Sequence, residues 1–323
     1  MTKPRIYITR RLPEDVVAPY RKDLDIEMWS ETDVPVDHTH LQKEAVTADG
    51  LVTMLTENVD EELLGKAENL KIVANLAVGY DNIDVQAAKR RDIQVTNTPD
   101  VLTDTTADLI FGLVLATARR LTEAERYIKE GKWENWSPLL MAGTDVHHKT
   151  MGIVGMGRIG KMIAKRARGF DMNVLYHNRS RDEEAEDQFN ASYATFDDLL
   201  TKADYVVCMV PLTRETEGMF NKNTFRKMKN TAIFINGSRG QTVIEADLYE
   251  ALIHEDIAGA GLDVFAEEPI SKDHPLLQLD QVVALPHIGS ASKETRYKMM
   301  DLCLENIDRY FKGKSVKTPV SNR

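Results

Sequence analysis

Thr150-Met151-Gly152-Ile153-Val154-Gly155-Met156-Gly157-Arg158-Ile159-Gly160 is the stretch on which the reading of the chain turns. Residues 151–154 have the length and composition of a buried strand, then break into G-x-G-x-x-G. Residues 161–168 continue as an amphipathic helix, and 173–176 form a second strand-like run. Each glycine has a mechanical use. Gly155 takes the tight turn, Gly157 lets a pyrophosphate approach the backbone, and Gly160 lets helix and strand pack closely. The N–H groups at the helix start lack intrahelical partners and suit phosphate oxygens. A glycine-rich turn alone can be no more than a tight turn, but the strand–turn–helix–strand order marks a dinucleotide site.

The 323 residues are too many for one ordinary core and fit two domains. A formal charge of -10 argues against nucleic acid or an anionic membrane as the main partner. Cys208 and Cys303 belong to no CxxC or zinc-like cluster, so neither a disulfide framework nor a metal is expected. His38 and His40 have no partner at metal-ligand spacing, and His147, His148 and His274 read as loop residues. No apolar run reaches membrane-spanning length, and the N-terminus leads into a strand without a signal-like apolar region. A soluble, cytoplasmic protein is expected.

Strands at 6–9, 26–29, 51–55, 72–76 and 93–96 alternate with helices after Pro13 and at 41–46, 61–67 and 85–91, which predicts a parallel sheet covered by helices. In this half the turn Val78-Gly79-Tyr80-Asp81-Asn82-Ile83-Asp84 either faces a small anion with its N–H groups or is an ordinary βα loop with Asp84 as helix cap. Pro99 marks the crossing to a second domain. Residues 103–129 read as one long helical region, with Thr105 and Asp108 spaced like a capping box and Gly131 as its end. Trp133 and Trp136 fall in the long loop 132–148, as interface anchors or packed on their own domain. After the glycine turn the alternation resumes, with strands at 205–210, 232–236, 261–264 and 282–285, helices at 196–202, 221–228 and 245–254, and a final amphipathic helix at 293–311. The fold class is α/β, with two doubly wound parallel-sheet domains.

Ligands of such sheets lie beyond the strand carboxyl ends. That singles out Val210 and Pro211, Gly237, Ser238 and Arg239, Asp263 to Pro269, and His287, Gly289 and Ser290. Reduction of a ketone by hydride needs a proton donor, a group that holds the donor charged, and a cation for an acidic substrate. Histidine is the side chain that titrates nearest neutral pH, so His287 fits the first role; Glu268 could bond its other nitrogen, and Arg239 could grip a carboxylate in a fork. Each also has a plainer use, as a turn cap, a solvated loop residue or a structural ion pair. Asp263 either receives a nicotinamide carboxamide or caps its loop.

Taken in order, 78–84, Asn97-Thr98-Pro99-Asp100-Val101-Leu102-Thr103, 155–160, 236–240, 261–264, Glu267-Glu268-Pro269 and 286–290 resemble the D-2-hydroxyacid dehydrogenase family, and within it the glyoxylate/hydroxypyruvate reductases. The resemblance implies a flavodoxin-like substrate domain made of residues 1–100 with 289–323, and a Rossmann cofactor domain at 101–288, with a cleft between them. It makes Arg239, Glu268 and His287 catalytic. It gives the substrate Val78 and Gly79 N–H groups, with Leu55, Arg239, His287 and Ser290 beside them, and a homodimer in which Trp136 reaches the partner subunit's pocket. It adds Thr105, Arg158 and Ile159 to a cofactor set of Gly155, Gly157, Gly160, Val210, Pro211, Gly237, Ser238, Asp263 and Gly289.

One position departs from the NAD-preferring members, which carry an acid after the second strand. Here Asn178-Arg179-Ser180 stands there, with neither the ribose-binding carboxylate nor its repulsion of a 2′-phosphate. Arg179 and Ser180 can instead contact that phosphate, Arg181 adding a weaker field, so NADPH is the expected cofactor and NADH the weaker alternative. The acidic residues that follow leave open that these cations only balance a solvated run. Glyoxylate or hydroxypyruvate is the expected substrate. The alternatives are 2-ketogluconate and, from another class, a redox-sensing co-repressor, which the short tail after Gly313 disfavours.

Overall fold

The computed structural model describes residues 2–320. The chain divides into two compact units, Met1–Leu102 with Ser292–Arg323, and Thr103–Ala291. The divisions fall after Leu102 and Ala291 rather than after Asp100 and Ile288, because each lies where a helix begins: Thr103 opens one helix, and Ser292 caps another by accepting from Thr295 N at 3.2 Å.

In the first unit, β1 (Arg5–Ile8), β2 (Asp25–Met28), β3 (Gly50–Thr53), β4 (Ile72–Asn75) and β5 (Gln94–Thr96) pair in parallel in the order β2-β1-β3-β4-β5. This is the flavodoxin-like winding. Helices His38–Thr47, Glu61–Lys66 and Val85–Arg90 start at Asp37, Asp60 and Asp84, whose carboxylates accept from the N–H groups of His40, Leu63 and Ala87. Their apolar faces close over Leu51, Val73 and Val95. Helix Lys293–Phe311 buries Met299, Cys303, Leu304 and Ile307 and packs on β4 and β3.

The second unit holds β6 (Thr150–Val154), β7 (Asn173–His177), β8 (Ala191–Tyr193), β9 (Tyr205–Cys208), β10 (Ile233–Asn236), β11 (Gly259–Leu262) and β12 (Val282–Ala284), in the order β12-β11-β10-β9-β6-β7-β8, with parallel pairings. Apolar clusters cover both faces, one around Ile110, Leu113, Ile153 and Ile235, the other around Leu199, Phe220, Phe225 and Phe234. The winding reverses direction at β6, where ligands of such sheets bind.

Two expectations are corrected. The helical region 103–129 is two helices, Thr103–Ala118 and Leu121–Lys129, because Arg120 takes a left-handed φ of 53° and forks onto Glu123 at 2.7 Å. Thr105 and Asp108 form no capping box: the helix already runs from Thr103, and the Asp108 carboxylate accepts from Arg166 Nε at 2.6 Å. The acidic run after Arg181 folds as helix Glu183–Phe189, capped by Asp182, and leads into the edge strand β8.

One close approach sets the spacing of the loops after β10 and β11. A Cβ built at Gly240 would lie 1.8 Å from the Phe265 carbonyl carbon, so only glycine lets these backbones meet. Gly240→Ala should destabilise the protein by on the order of 1–3 kcal/mol, as overpacking does. Urea unfolding would read it as a lower midpoint; an unchanged midpoint would show that the two loops can part at no cost.

Candidate active site

β10, β11 and β12 are neighbours in register, so the residues that follow them emerge side by side. Arg239 follows β10, Glu268 lies in the loop after β11, and His287 follows β12. Glu268 Oε2 lies 2.7 Å from His287 Nδ1, and its Oε1 accepts from Phe265 N at 3.0 Å. A carboxylate can only accept here, so Nδ1 carries the hydrogen and Nε2 is the nitrogen left for chemistry. Burial pushes the Glu268 carboxyl up. The bond to and charge of His287, the Phe265 N–H and the Arg239 charge outweigh it and hold the group below the usual carboxylate range.

His287 has a left-handed φ of 52°, and the turn that imposes it is built by Asp263. Asp263 is 2% exposed, and its two oxygens accept from Ile288 N and Gly289 N, each at 2.8 Å. Burial raises its pKa against those two bonds and the charge of His287. Asp263 therefore caps the loop after β12 rather than its own.

Arg239 is fixed through its backbone, since its carbonyl accepts from Asn236 Nδ2 at 3.0 Å and Thr242 Oγ1 at 2.7 Å. Its Nη1 donates to Ser238 O at 2.9 Å. Ser238 Oγ donates to the Val210 carbonyl, tying the loop after β10 to the loop after β9.

At the end of β6, Gly155 has φ 104° and donates to His177 O at 3.0 Å; a Cβ there would lie 2.6 Å from Met209 backbone. The helix Arg158–Arg168 begins at Gly157 without a side-chain cap, and a Cβ at Gly157 would meet nothing within 4 Å. Uncapped donors under open space fit a pyrophosphate. Gly160 packs against Gly155, a Cβ there lying 2.4 Å from the Gly155 carbonyl oxygen.

Asn178 accepts from Met156 N at 2.7 Å, so its side chain braces the glycine turn. Arg179 and Ser180 are exposed beside it. Arg181 is bound to Glu186 at 2.6 Å, and Lys161 to Asp182 at 3.0 Å and to Glu184, so the acidic run has cations other than Arg179.

Thr105 lies in the first turn of its helix, Ile159 and Val210 pack partly buried on the core, and Arg158 and Pro211 are exposed. Gly237 and Gly289 sit against Ile110 and Asp263, and Ser290 follows, half-buried. In the first unit, Leu55 is not the end of a strand: β3 stops at Thr53, and Met54 N donates to Glu57 Oε2 at 2.7 Å to form a turn. Val78 and Gly79 follow β4, half-buried, and among the described residues neither donates its N–H. Asp84 caps the next helix, its carboxylate accepting from Ala87 N. Trp136 is 77% exposed, which rules out packing on its own domain. Among the described residues no group of three or more His, Cys, Asp or Glu could hold a metal, and no helix is long and apolar enough to cross a membrane.

Residues 111–289 match the NAD binding domain of the D-isomer specific 2-hydroxyacid dehydrogenases. The chain belongs to that family and is an oxidoreductase. It is 47% identical over 324 aligned residues to a glyoxylate reductase of Pyrococcus horikoshii, covering 99% of this chain and 96% of that one. To a glyoxylate reductase of Korarchaeum cryptofilum it is 46% identical, covering 96% and 94%. Among solved structures, an NADPH-dependent glyoxylate/hydroxypyruvate reductase of Sinorhizobium meliloti, in complex with NADP and malonate, superposes with a TM-score of 0.85 at 33% identity, covering 99% of this chain and 97% of that one.

Proposed function

We propose that the protein reduces small 2-keto acids, glyoxylate to glycolate and hydroxypyruvate to D-glycerate, with NADPH preferred to NADH. The observation that carries this is the 2.7 Å pair of Glu268 and His287 on strand ends next to Arg239. A bound reduced nicotinamide supplies the hydride. His287 gives the Nε2 proton to the carbonyl oxygen as it gains charge, and Glu268 favours the protonated ring by its negative charge. Arg239 offers a fork to the substrate carboxylate, and in the first unit the Val78 and Gly79 N–H groups suit a small anion. The names of the relatives support the substrate class.

The protein acts as a homodimer. Leu121, Ile128, Trp133, Trp136 and Leu139 are all more than half exposed, at 52%, 59%, 57%, 77% and 82%, a run of apolar surface that a second copy would cover. Trp136 reaches the partner's substrate in this reading, so Trp136→Ala should raise KM for the keto acid with little change for the cofactor. Sedimentation of a fully active monomer would sink it.

His287→Ala should lower turnover by about a hundredfold or more, as general acid catalysis contributes about 10²–10⁴. The Glu268 carboxyl, held below its usual range, is ionised throughout the neutral region. Glu268→Gln removes that charge and should move the basic limb of the reduction profile to lower pH. An unmoved limb with full activity would take Glu268 out of the mechanism.

Arg179 belongs to none of the ion pairs that hold the acidic run, and its position beside Asn178 suits a 2′-phosphate. A charge-assisted contact of roughly 1.5–3 kcal/mol is worth about ten- to a hundredfold. Arg179→Asp should therefore erase or invert the preference while activity with NADH persists. The comparison is kcat/KM for both cofactors at one ionic strength, and a wild-type ratio favouring NADH would overturn the assignment.

A further inference from the structure

The turn that carries Val78 and Gly79 is held from behind by a set of carbonyl anchors. The Ala77 carbonyl accepts from Thr98 N at 2.8 Å, the Val78 carbonyl from Asn97 Nδ2 at 2.8 Å, and the Gly79 carbonyl from Asn75 Nδ2 at 2.9 Å. In a planar trans peptide the N–H points opposite to the C=O of the same unit. The N–H groups of Val78, Gly79 and Tyr80 are therefore each turned away from the anchor of their own peptide. Among the described residues none of the three donates a hydrogen bond. Three consecutive donors left without partners suit an anion.

Asn82 joins this turn to the one that carries Leu55. Its Nδ2 donates to Met54 O at 3.0 Å and to Glu57 O at 2.9 Å, while its Oδ1 accepts from Asn75 Nδ2 at 3.1 Å. Asn75 is fully buried, and Thr53 Oγ1 donates to its Oδ1 at 3.0 Å. The far side of the Leu55 turn is fixed by buried Glu57, which accepts from Met54 N at 2.7 Å, Thr9 Oγ1 at 2.6 Å and Arg10 Nη1 at 2.9 Å. Every link in this lattice is short, those of Glu57 to Thr9 and Arg10 and of Thr53 to Asn75 are buried, and several depend on one amide.

We infer that Asn82, acting through Asn75, is a positioning residue that locks the Leu55 turn and the 78–80 turn into one rigid receptor for the keto-acid carboxylate, with Tyr80 N–H as a third donor. The inference rests on the reading that this turn receives the substrate anion. Without Asn82 the Asn75 amide keeps only the Gly79 carbonyl as acceptor, and the two loops lose their tie. The donors then spread over several orientations, and the bound anion must order them again. That weakens binding of the anion and leaves the proton donor and the cofactor residues alone.

Asn82→Ala should raise KM for glyoxylate and Ki for oxalate about tenfold, the worth of one or two net hydrogen bonds, with kcat and KM for NADPH nearly unchanged. Asn82→Asp keeps the volume but sets a carboxylate against two carbonyls, and should do at least as much. If Asn82→Ala yields no folded protein, Asn97→Ala, at the half-buried end of the lattice, should show the same split. Unchanged glyoxylate KM and oxalate Ki, or all parameters falling together with thermal stability, would overturn the inference while wild-type activity stands. A wild type that reduces no 2-keto acid would overturn the proposed function instead.

Discussion

Parallel strands joined by crossovers place all their carboxyl ends on one edge of the sheet, and the site depends on this constraint more than on any single bond. In the second unit the edge reads in sheet order: His287 after β12, Asp263 and Glu268 after β11, Arg239 after β10, Val210 after β9, the glycine turn after β6 and Asn178 after β7. Residues far apart in sequence become neighbours because their strands are neighbours. The fine alignment comes from bonds between adjacent loops: Asp263 to the His287 turn, Glu268 to His287, Ser238 to Val210 and Asn178 to Met156.

Much of this was legible in the sequence because it follows from local patterns. Short β-branched runs between capped helices gave both sheets, and the G-x-G-x-x-G turn fixed where the second unit's winding reverses. The strand-end rule then picked out Arg239, Glu268 and His287. The pairing of Glu268 with His287 needed the adjacency of β11 and β12, which no local pattern carries. Asp263 shows the same limit: its place at a strand end was readable, but its two bonds to Ile288 and Gly289 come from the next strand.

What the sequence hid were long-range polar contacts and one local conflict. The residues 103–129 have unbroken helical composition, and only the fork of Arg120 onto Glu123 selects the left-handed break. The acidic run 182–187 looked solvated. It is largely exposed, and the Asp182 cap and its pairing with Lys161 also make it a helix start, favoured by the helix dipole. The asparagines at 75, 82 and 97 gave a signal that went unused. Asn75 ends one buried strand and Asn82 and Asn97 lie beyond strand ends, where side chains bind turn backbone rather than water.

Asn178 and the asparagines of the first unit illustrate one economy in the fold. In each case a neutral amide braces a backbone turn that we propose to receive an anion, through Met156 N at the glycine turn and the Val78 and Gly79 carbonyls at the other. A carboxylate could accept the bond from Met156 N equally well, but it would repel the 2′-phosphate proposed for this place. At the first-unit turn a carboxylate could not donate to the carbonyls at all. An amide is the side chain that holds these turns without opposing the charge they face, which is why the braces are asparagine where aspartate caps the ordinary helices of the same unit at Asp37, Asp60 and Asp84.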